Sequence, residues 1–171
     1  MGVTIHFEGQ LQDEENYKKL IENVHEFAAE YGLETTDIDE ENKTLSRVKD
    51  EKDWDYTGPV KGIRVKIHDN CDPLIFEFDE NLYMQEYIKT QFVGPEAHII
   101  ICEYLASVMP FFKEFNIFDE GEYFETKDKN KLEHHIDTVD SLIEEKLNEN
   151  PNLSGPVRSP EGRILDLVSN E

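Results

Sequence analysis

The residues of this chain that could take part in chemistry lie where predicted strands end and where one helix begins. Their side chains are imidazoles, carboxylates, an amine, an amide and a phenol, which serve as metal ligands, general acids and bases, and anion contacts. The candidates are His6, His68, Lys89, Gln91, Glu96, His98, Asp119, Glu120 and Tyr123. If the polar face of the predicted sheet forms a cleft, we expect several of them to meet there.

A metal site is one chemistry that this set permits. His6, His68 and His98 together with a carboxylate are a ligand set that zinc, nickel or iron would accept. No two of these histidines have the spacing of a known metal motif, and Glu96 and His98 point in different directions on a helix. The sequence therefore leaves metal binding open and indicates no particular cofactor.

An anion pocket is the second chemistry. Lys89 and Gln91 lead into a helix that begins near Pro95, and a helix N-terminus attracts phosphate or carboxylate. Glu96 argues against this pocket, because its carboxylate already occupies the positive end of the helix dipole. Glu96 would then cap the helix or pair with Lys89. His98, with a cysteine one turn later, would be a hydrogen-bonded core histidine.

The sequence has no motif of a common enzyme class. It contains no P-loop, no Gly-x-Gly-x-x-Gly, no Cys-x-x-Cys, no His-Glu-x-x-His, no Gly-x-Ser-x-Gly and no EF-hand loop. This weighs against the most common nucleotide-binding, zinc-hydrolase and serine-hydrolase mechanisms. Cys71 follows His68 by three residues, but catalytic cysteines usually take their histidine from a distant part of the chain, so this spacing is weak evidence.

The element that must position several candidates is a helix predicted from about residue 95 to about residue 113. It is apolar on nearly every side, which is typical of a helix buried in a core. It is too short and too interrupted to span a membrane. Gly94 suits the N-cap, and Pro95 suits the first helical position.

Strands and two further helices surround this central helix in the predicted fold. Alternating apolar residues predict strands over 3–8, 60–68, 74–79, the second half of 83–92, and 115–118. Helical spacing predicts amphipathic helices over 13–32, capped by Asp13 and stopped by Gly32, and over 128–148. Strands paired as hairpins with helices inserted between them predict an α+β fold, a largely antiparallel sheet with helices on one face.

The middle of the chain gives two finer expectations. Residues 34–56 are dense in acidic groups, so we expect only short strands near 35–38 and 44–48, followed by a loop over 50–58. In the hairpin of residues 60–68 and 74–79, we expect Arg64 and Lys66 to face Glu77 and Asp79 as cross-strand charge pairs.

Length and composition restrict the class of protein. The 171 residues fit one domain, placed at 1–149, followed by a C-terminal loop and hairpin at 150–171, with the hairpin near 157–168. A net charge of −22 repels DNA, RNA and anionic lipid, so we expect neither direct nucleic-acid contact nor membrane association. A basic protein partner, a small ligand and the oligomeric state stay open. Two cysteines and the lack of a signal peptide indicate free thiols and a cytoplasmic location.

Three segments resemble motifs of a group of small bacterial proteins without an established activity. They are residues 89–98 (Lys-Thr-Gln-Phe-Val-Gly-Pro-Glu-Ala-His), 119–126 (Asp-Glu-Gly-Glu-Tyr-Phe-Glu-Thr) and 68–74 (His-Asp-Asn-Cys-Asp-Pro-Leu) with the strand that follows. With the similar opening at 3–7, the resemblance covers roughly residues 1–145. This chain has Phe124 where the group has tryptophan, and Val93 where it has alanine. The resemblance implies no function, only that the nine candidates belong together.

The sequence favours a binding or interaction protein of unknown partner, because catalytic motifs are missing and the charge is extreme. The alternative is an enzyme, a hydrolase or transferase that uses the His/Glu/Lys cluster with or without a metal. Geometry distinguishes the two hypotheses. Convergence of His6, His68, Glu96 and His98 on one point in a cleft would favour the enzyme, whereas scattering or burial in the core would favour the binding protein.

Overall fold

A computed structural model describes residues 2–170, which form an α+β fold with antiparallel sheets. The strands are β1 (Thr4–Leu11), β2 (Thr35–Leu45), β3 (Val48–Lys49), β4 (Lys52–Asp53), β5 (Tyr56–Val65), β6 (Leu74–Phe78), β7 (Tyr83–Lys89), β8 (Phe112–Asp119), β9 (Leu153–Ser154), β10 (Val157–Arg158), β11 (Ile164–Leu165) and β12 (Val168–Ser169). The helices are α1 (Glu14–Tyr31), α2 (Pro95–Val108), α3 (Tyr123–Thr126) and α4 (Lys129–Glu149).

Two three-stranded sheets carry the fold, in the orders β7-β1-β8 and β2-β5-β6. The hairpin of β6 and β7 joins them and is closed at both ends by backbone hydrogen bonds. Asp79 N–H donates to the Tyr83 carbonyl at 3.0 Å, and Asp72 N–H donates to the Lys89 carbonyl at 3.2 Å. Between these points β6 and β7 belong to different sheets, so the two sheets diverge and leave space between their outer faces.

The inner faces of both sheets pack against the helices in one core. Ile5, Phe7 and Phe76 are buried there together with α2, whose His98 and Leu105 are also fully buried. Aromatic contacts connect the layers, because Tyr104 of α2 stacks on Phe27 of α1 at 4.0 Å and meets Phe76 of β6 edge-on at 6.4 Å. The prediction of a buried central helix is therefore confirmed. Within residues 2–170, no helix is both long and apolar enough to cross a membrane.

The predicted starts of α1, α2 and α4 and the Gly32 stop of α1 are confirmed, but two element ends were wrong. Asp13 accepts the Asn16 N–H at 2.8 Å, and Gly32 ends α1 in the left-handed conformation. The central helix ends at Val108 and not near 113, because Pro110 cannot donate the next helical hydrogen bond. Strand β1 extends to Leu11, beyond the predicted strand end at residue 8. Gly9 permits this close pairing, since a Cβ there would lie 2.3 Å from the Glu114 carbonyl oxygen.

The acidic middle of the chain is more ordered than predicted. Residues 35–45 form one long edge strand with a bulge between Glu40 and Lys43, and the predicted loop at 50–58 contains β4 and the start of β5. The hairpin of β5 and β6 is confirmed, but its predicted charge pairs were wrong. Arg64 lies opposite Ile75, and Glu77 lies opposite Gly62. The hairpin predicted near 157–168 is present as the pairing of β10 with β11.

Candidate functional site

The structure does not bring the nine predicted residues to one point. His98, Asp119 and Tyr123 are buried, Lys89 and Gln91 lie under the C-terminal segment, and the other four lie nearer the surface. Glu96 of α2 is exposed and pairs with Lys129 of α4 at 3.1 Å, so of its two expected roles the pairing with Lys89 was wrong. His68 is exposed, and its Nδ1 accepts the Asn70 N–H at 3.0 Å.

His98 and Asp119 are the centre of a buried network that also contains Thr90 and Cys102. His98 Nε2 lies 2.9 Å from Asp119 Oδ1, and His98 Nδ1 lies 2.6 Å from the Thr90 hydroxyl. The Cys102 thiol donates to Asp119 Oδ2 at 3.5 Å. The His98 and Asp119 side chains are fully buried. The interpretation of His98 as a hydrogen-bonded core histidine therefore agrees with the structure.

The buried network is closed around the Asp119 carboxylate. Backbone N–H groups of Gly121 and Phe124 donate to it at 2.8 and 2.9 Å, in addition to His98 and Cys102. Burial raises the pKa of Asp119, but the hydrogen bond and charge of His98 and the two backbone donors outweigh burial and hold the pKa below its ordinary value. Four donors use the acceptor capacity of the carboxylate, so the network orders the Asp119 turn.

The buried network is also a candidate cation site by composition. Ligand atoms of His98, Cys102 and Asp119 lie within 4.8 Å of one another. A metal would need the thiolate, yet burial and Asp119 raise the pKa of Cys102 well above its ordinary value. The predicted set of His6, His68 and His98 is divided among three different environments, because His6 pairs with Glu120 at 3.1 Å on the surface.

The environments of Cys71 and Tyr123 indicate structural roles for both residues. Cys71 is buried, and its thiol donates to the Lys89 carbonyl at 3.4 Å. Burial, with the nearby Asp72 carboxylate, raises the pKa of Cys71 to about 12, the reverse of what a nucleophilic cysteine needs. Tyr123 is buried at the start of α3, and the Lys127 ammonium lies 5.5 Å from its ring centre.

The predicted anion pocket at Lys89 and Gln91 is filled by a carboxylate of this chain. Asp166 Oδ1 lies 2.9 Å from both the Lys89 ammonium and the Gln91 amide nitrogen. The Gln91 amide oxygen accepts the Val3 N–H at 2.5 Å. Nothing in the spacing of the sequence connects Asp166 with Lys89, so the sequence analysis missed this contact.

A cleft of about 780 Å³ lies between the outer faces of the two sheets, and we call it the inter-sheet cleft. Strand alternation aims outward side chains of both sheets into it, and Glu86 reaches it from the inward phase of β7. Its lining comes from β1, β2, β3, β5, β6, β7 and β8, from the connection between β2 and β3, and from the C-terminal hairpin. The residues used below are His6, Glu8, Lys43, Ser46, Arg64, Ile75, Glu77, Gln85, Glu86, Tyr87, Asn116, Phe118, Glu161 and Arg163. His6 is the one predicted candidate among them.

Ion pairs and hydrogen bonds hold the walls of the inter-sheet cleft. Lys43 pairs with Glu77 at 3.2 Å, and Arg163 pairs with Glu86 at 2.8 Å. Arg163 also stacks over the Tyr87 ring at 4.0 Å. The cleft is therefore a preformed surface whose main charged groups are already positioned.

Glu86 has an unusual environment in this wall. Burial raises its pKa to about 7 even though Arg163 pulls in the opposite direction. Burial also lowers the pKa of Arg163, but Glu86, Tyr87 and Asp72 outweigh it, so Arg163 stays charged. At neutral pH the cleft thus contains a carboxyl group between its two protonation states.

We expect Glu86 to make stability depend on pH. The folded pKa is raised above its ordinary value of 4.5, so its contribution is fully present below pH 4.5 and is lost as the pH rises through about 7. Between pH 5 and pH 8, the unfolding free energy of the protein should fall relative to that of Glu86→Gln by about 2 kcal/mol. Urea unfolding of both proteins across this range measures the difference. A constant difference would contradict the raised pKa.

Sequence reasoning missed Arg64, Glu86 and Arg163 as site residues. Glu86 left one signal, since it stands between Met84 and Ile88 in the inward phase of β7, where an apolar residue is expected. The sequence predicted a carboxylate partner for Arg64 on the opposite strand of the hairpin, but the true register places Ile75 there. Arg163 left no signal.

Comparison with protein families, with curated proteins and with solved structures found no match for this chain. The function of the chain is therefore inferred from the geometry of the inter-sheet cleft.

Proposed function

We propose that this chain is a binding protein that holds a small ligand in the inter-sheet cleft. The observation that carries the proposal is the contrast between two kinds of polar group. His98, Asp119, Lys89 and Gln91 have their hydrogen-bonding capacity directed to partners inside the chain. In the inter-sheet cleft, by contrast, fixed charged groups and exposed rings surround open space.

The dimensions of the cleft support a small ligand. Ligand pockets in proteins have volumes of roughly 300–1,000 Å³ and combine apolar walls with a few placed polar groups. The inter-sheet cleft has about 780 Å³ and combines Ile75, Tyr87 and Phe118 with arginines, a lysine and carboxylates. Its walls are held by internal contacts, so little ordering would be required on binding.

The net charge and the two thiols support a cytoplasmic protein that does not contact nucleic acid directly. A net charge of −22 disfavours direct contact with nucleic acid, whose phosphates repel it. Both cysteines are free and buried, which suits a reducing compartment, and we place the protein in the cytoplasm.

A second candidate function, an enzyme of the hydrolase or transferase class, is favoured by Glu86. A carboxyl group with a pKa of about 7 in a cleft has the property required of a general acid or base. His6 lies in the same cleft and pairs with Glu120 at 3.1 Å. In that case Glu86→Gln would abolish turnover of the bound ligand and leave its affinity nearly unchanged.

Native mass spectrometry tests the binding proposal. The purified protein is equilibrated with a cell extract filtered to below 1 kDa, and the mass of the complex is recorded. Ser46→Trp places an indole at the cleft, and Ser141→Trp places the same side chain on the exposed face of α4. We expect one retained small molecule in the unmodified protein and in Ser141→Trp, and its loss in Ser46→Trp. Equal retention in both variants, or none in any protein, would contradict the proposal.

A further inference from the structure

We infer that the ligand of the inter-sheet cleft is an aromatic anion, a planar ring that carries a carboxylate or phosphate group. Arg64 would bind the anionic group, and Tyr87 and Phe118 would contact the ring. This inference rests on the proposed function, because it assumes that the cleft is a ligand site.

Arg64 is the cation of the cleft that has no carboxylate partner within the described chain. Lys43 and Arg163 form ion pairs with Glu77 and Glu86. Arg64 makes no ion pair with residues 2–170, and its Nη1 donates to the backbone carbonyl of Glu161 at 3.1 Å. A guanidinium has five N–H donors, so most of its capacity stays available to a ligand.

The position of Arg64 follows from the register of the hairpin. Its neighbours on β5, Ile63 and Val65, are buried in the core, so strand alternation turns Arg64 to the outer face. The residue opposite is Ile75, which lines the cleft and offers no charge. The guanidinium is therefore half-buried at the cleft wall with an apolar neighbour, where an incoming anion would be paired strongly.

The carboxylates of the cleft do not neutralise the positive charge of Arg64. Glu8 accepts hydrogen bonds from the Tyr83 hydroxyl at 2.6 Å and the Gln85 amide at 3.0 Å. Glu77 and Glu86 are held by Lys43 and Arg163, as described above. Glu161 is exposed and contacts Arg64 through its backbone. An anionic group on the ligand would supply the partner that Arg64 lacks.

The opposite wall carries exposed aromatic rings. The His6 ring lies 5.8 Å from the Phe118 ring and 6.3 Å from the Tyr87 ring, measured between centroids. Phe118 is 60% exposed and Tyr87 is 43% exposed, which is high for large rings in a sheet. Arg163 fixes Tyr87 by stacking on it at 4.0 Å. A planar ligand ring would cover this surface in the offset or edge-on arrangements that aromatic groups prefer.

Titration calorimetry with four probes tests the inference on the full chain. The probes are 2-naphthoate, 1-naphthyl phosphate, 2-naphthylmethylamine and cyclohexanecarboxylate. We expect 2-naphthoate or 1-naphthyl phosphate to bind, and the amine and the non-aromatic acid to bind at least about tenfold more weakly. The stronger of the two anionic probes shows which anionic group the cleft prefers.

Substitutions then assign the anion to Arg64. Arg64→Gln should lower the affinity for the better anionic probe about tenfold. Arg64→Lys keeps the charge and should lower this affinity less. Lys66→Gln removes a cation at the end of the same segment outside the cleft, and we expect an unchanged affinity. Equal affinity in Arg64→Gln, equal binding of the amine, or no binding of any probe would overturn the inference.

These outcomes separate the inference from the proposed function. If a small molecule is retained in Ser141→Trp and lost in Ser46→Trp while Arg64→Gln has no effect, the cleft is a ligand site and the inference alone fails. If Ser46→Trp retains the molecule as well as the unmodified protein does, both the proposed function and the inference fail.

Discussion

Replacing Asp119 with asparagine should lower the free energy of unfolding by about 3–5 kcal/mol, because it removes a buried carboxylate on which several buried donors depend. The carboxylate accepts from His98, Cys102 and the N–H groups of Gly121 and Phe124, and its side chain is fully buried. An asparagine offers one oxygen to these donors and turns an N–H₂ group toward some of them.

Urea unfolding at pH 7 measures this loss, and the adjacent residue supplies the control. Glu120→Gln makes the same chemical change in a side chain that is 35% exposed and pairs with His6. An exposed pair contributes little, so we expect a loss below about 1 kcal/mol for Glu120→Gln. A loss below about 1 kcal/mol for Asp119→Asn would contradict a structural role for the network.

The Asp119 effect should also depend on pH in a definite direction. The folded pKa lies below the ordinary value of 3.8, so the stabilisation is present above pH 3.8 and is lost as the pH falls through the folded pKa. The difference between the protein and Asp119→Asn should therefore narrow in strong acid. A difference that widens in acid would assign the effect to another group.

Replacing Arg47 with methionine should also lower the free energy of unfolding by about 3–5 kcal/mol. Arg47 and Asp79 form an ion pair of 2.8 Å, and both side chains are only 5% exposed. The Arg47 guanidinium also lies 4.3 Å from the centre of the Trp54 ring. Methionine keeps much of the packing volume but leaves the Asp79 carboxylate buried without a cation.

A second arginine provides the matched control for Arg47. Arg64→Met removes an arginine that makes no ion pair with residues 2–170, and we expect a change within about 1 kcal/mol. Urea unfolding of both variants at pH 7 makes the comparison. Equal losses would mean that Arg64 is a structural residue, and its assignment to a ligand would lose its basis.

Local signals in the sequence were sufficient for the α+β class and for the starts of the three longer helices, whereas the short helix α3 was not predicted. Asp13, Gly32, Gly94 and Pro95 act within a few residues of their own positions, where the preferences of capping residues are decisive. The predicted end of the central helix was wrong because the apolar pattern of the helix continues through Pro110 into β8. Apolar residues there serve a helix and a strand equally well.

The candidate site depends on contacts between distant parts of the chain, and the sequence could not supply them. Asp166 reaches Lys89, and Arg163 reaches Glu86, across separations of 77 residues each. Arg64 was expected to face a carboxylate, but the true register of β5 and β6 places it opposite Ile75. The register of a hairpin decides which charges are paired, and composition does not reveal it.

The claim that the inter-sheet cleft holds a small ligand is tested most directly by nitrogen-15 NMR spectroscopy, which maps the changes in backbone amide chemical shift. The labelled protein is titrated with the small-molecule extract, and the shifts are assigned along the chain. We expect the largest changes at Gln85, Tyr87, Asn116 and Phe118, which line the inter-sheet cleft, and none at Gly121 in the buried network. Changes confined to other surfaces, such as the exposed face of α4, would contradict the cleft as the ligand site.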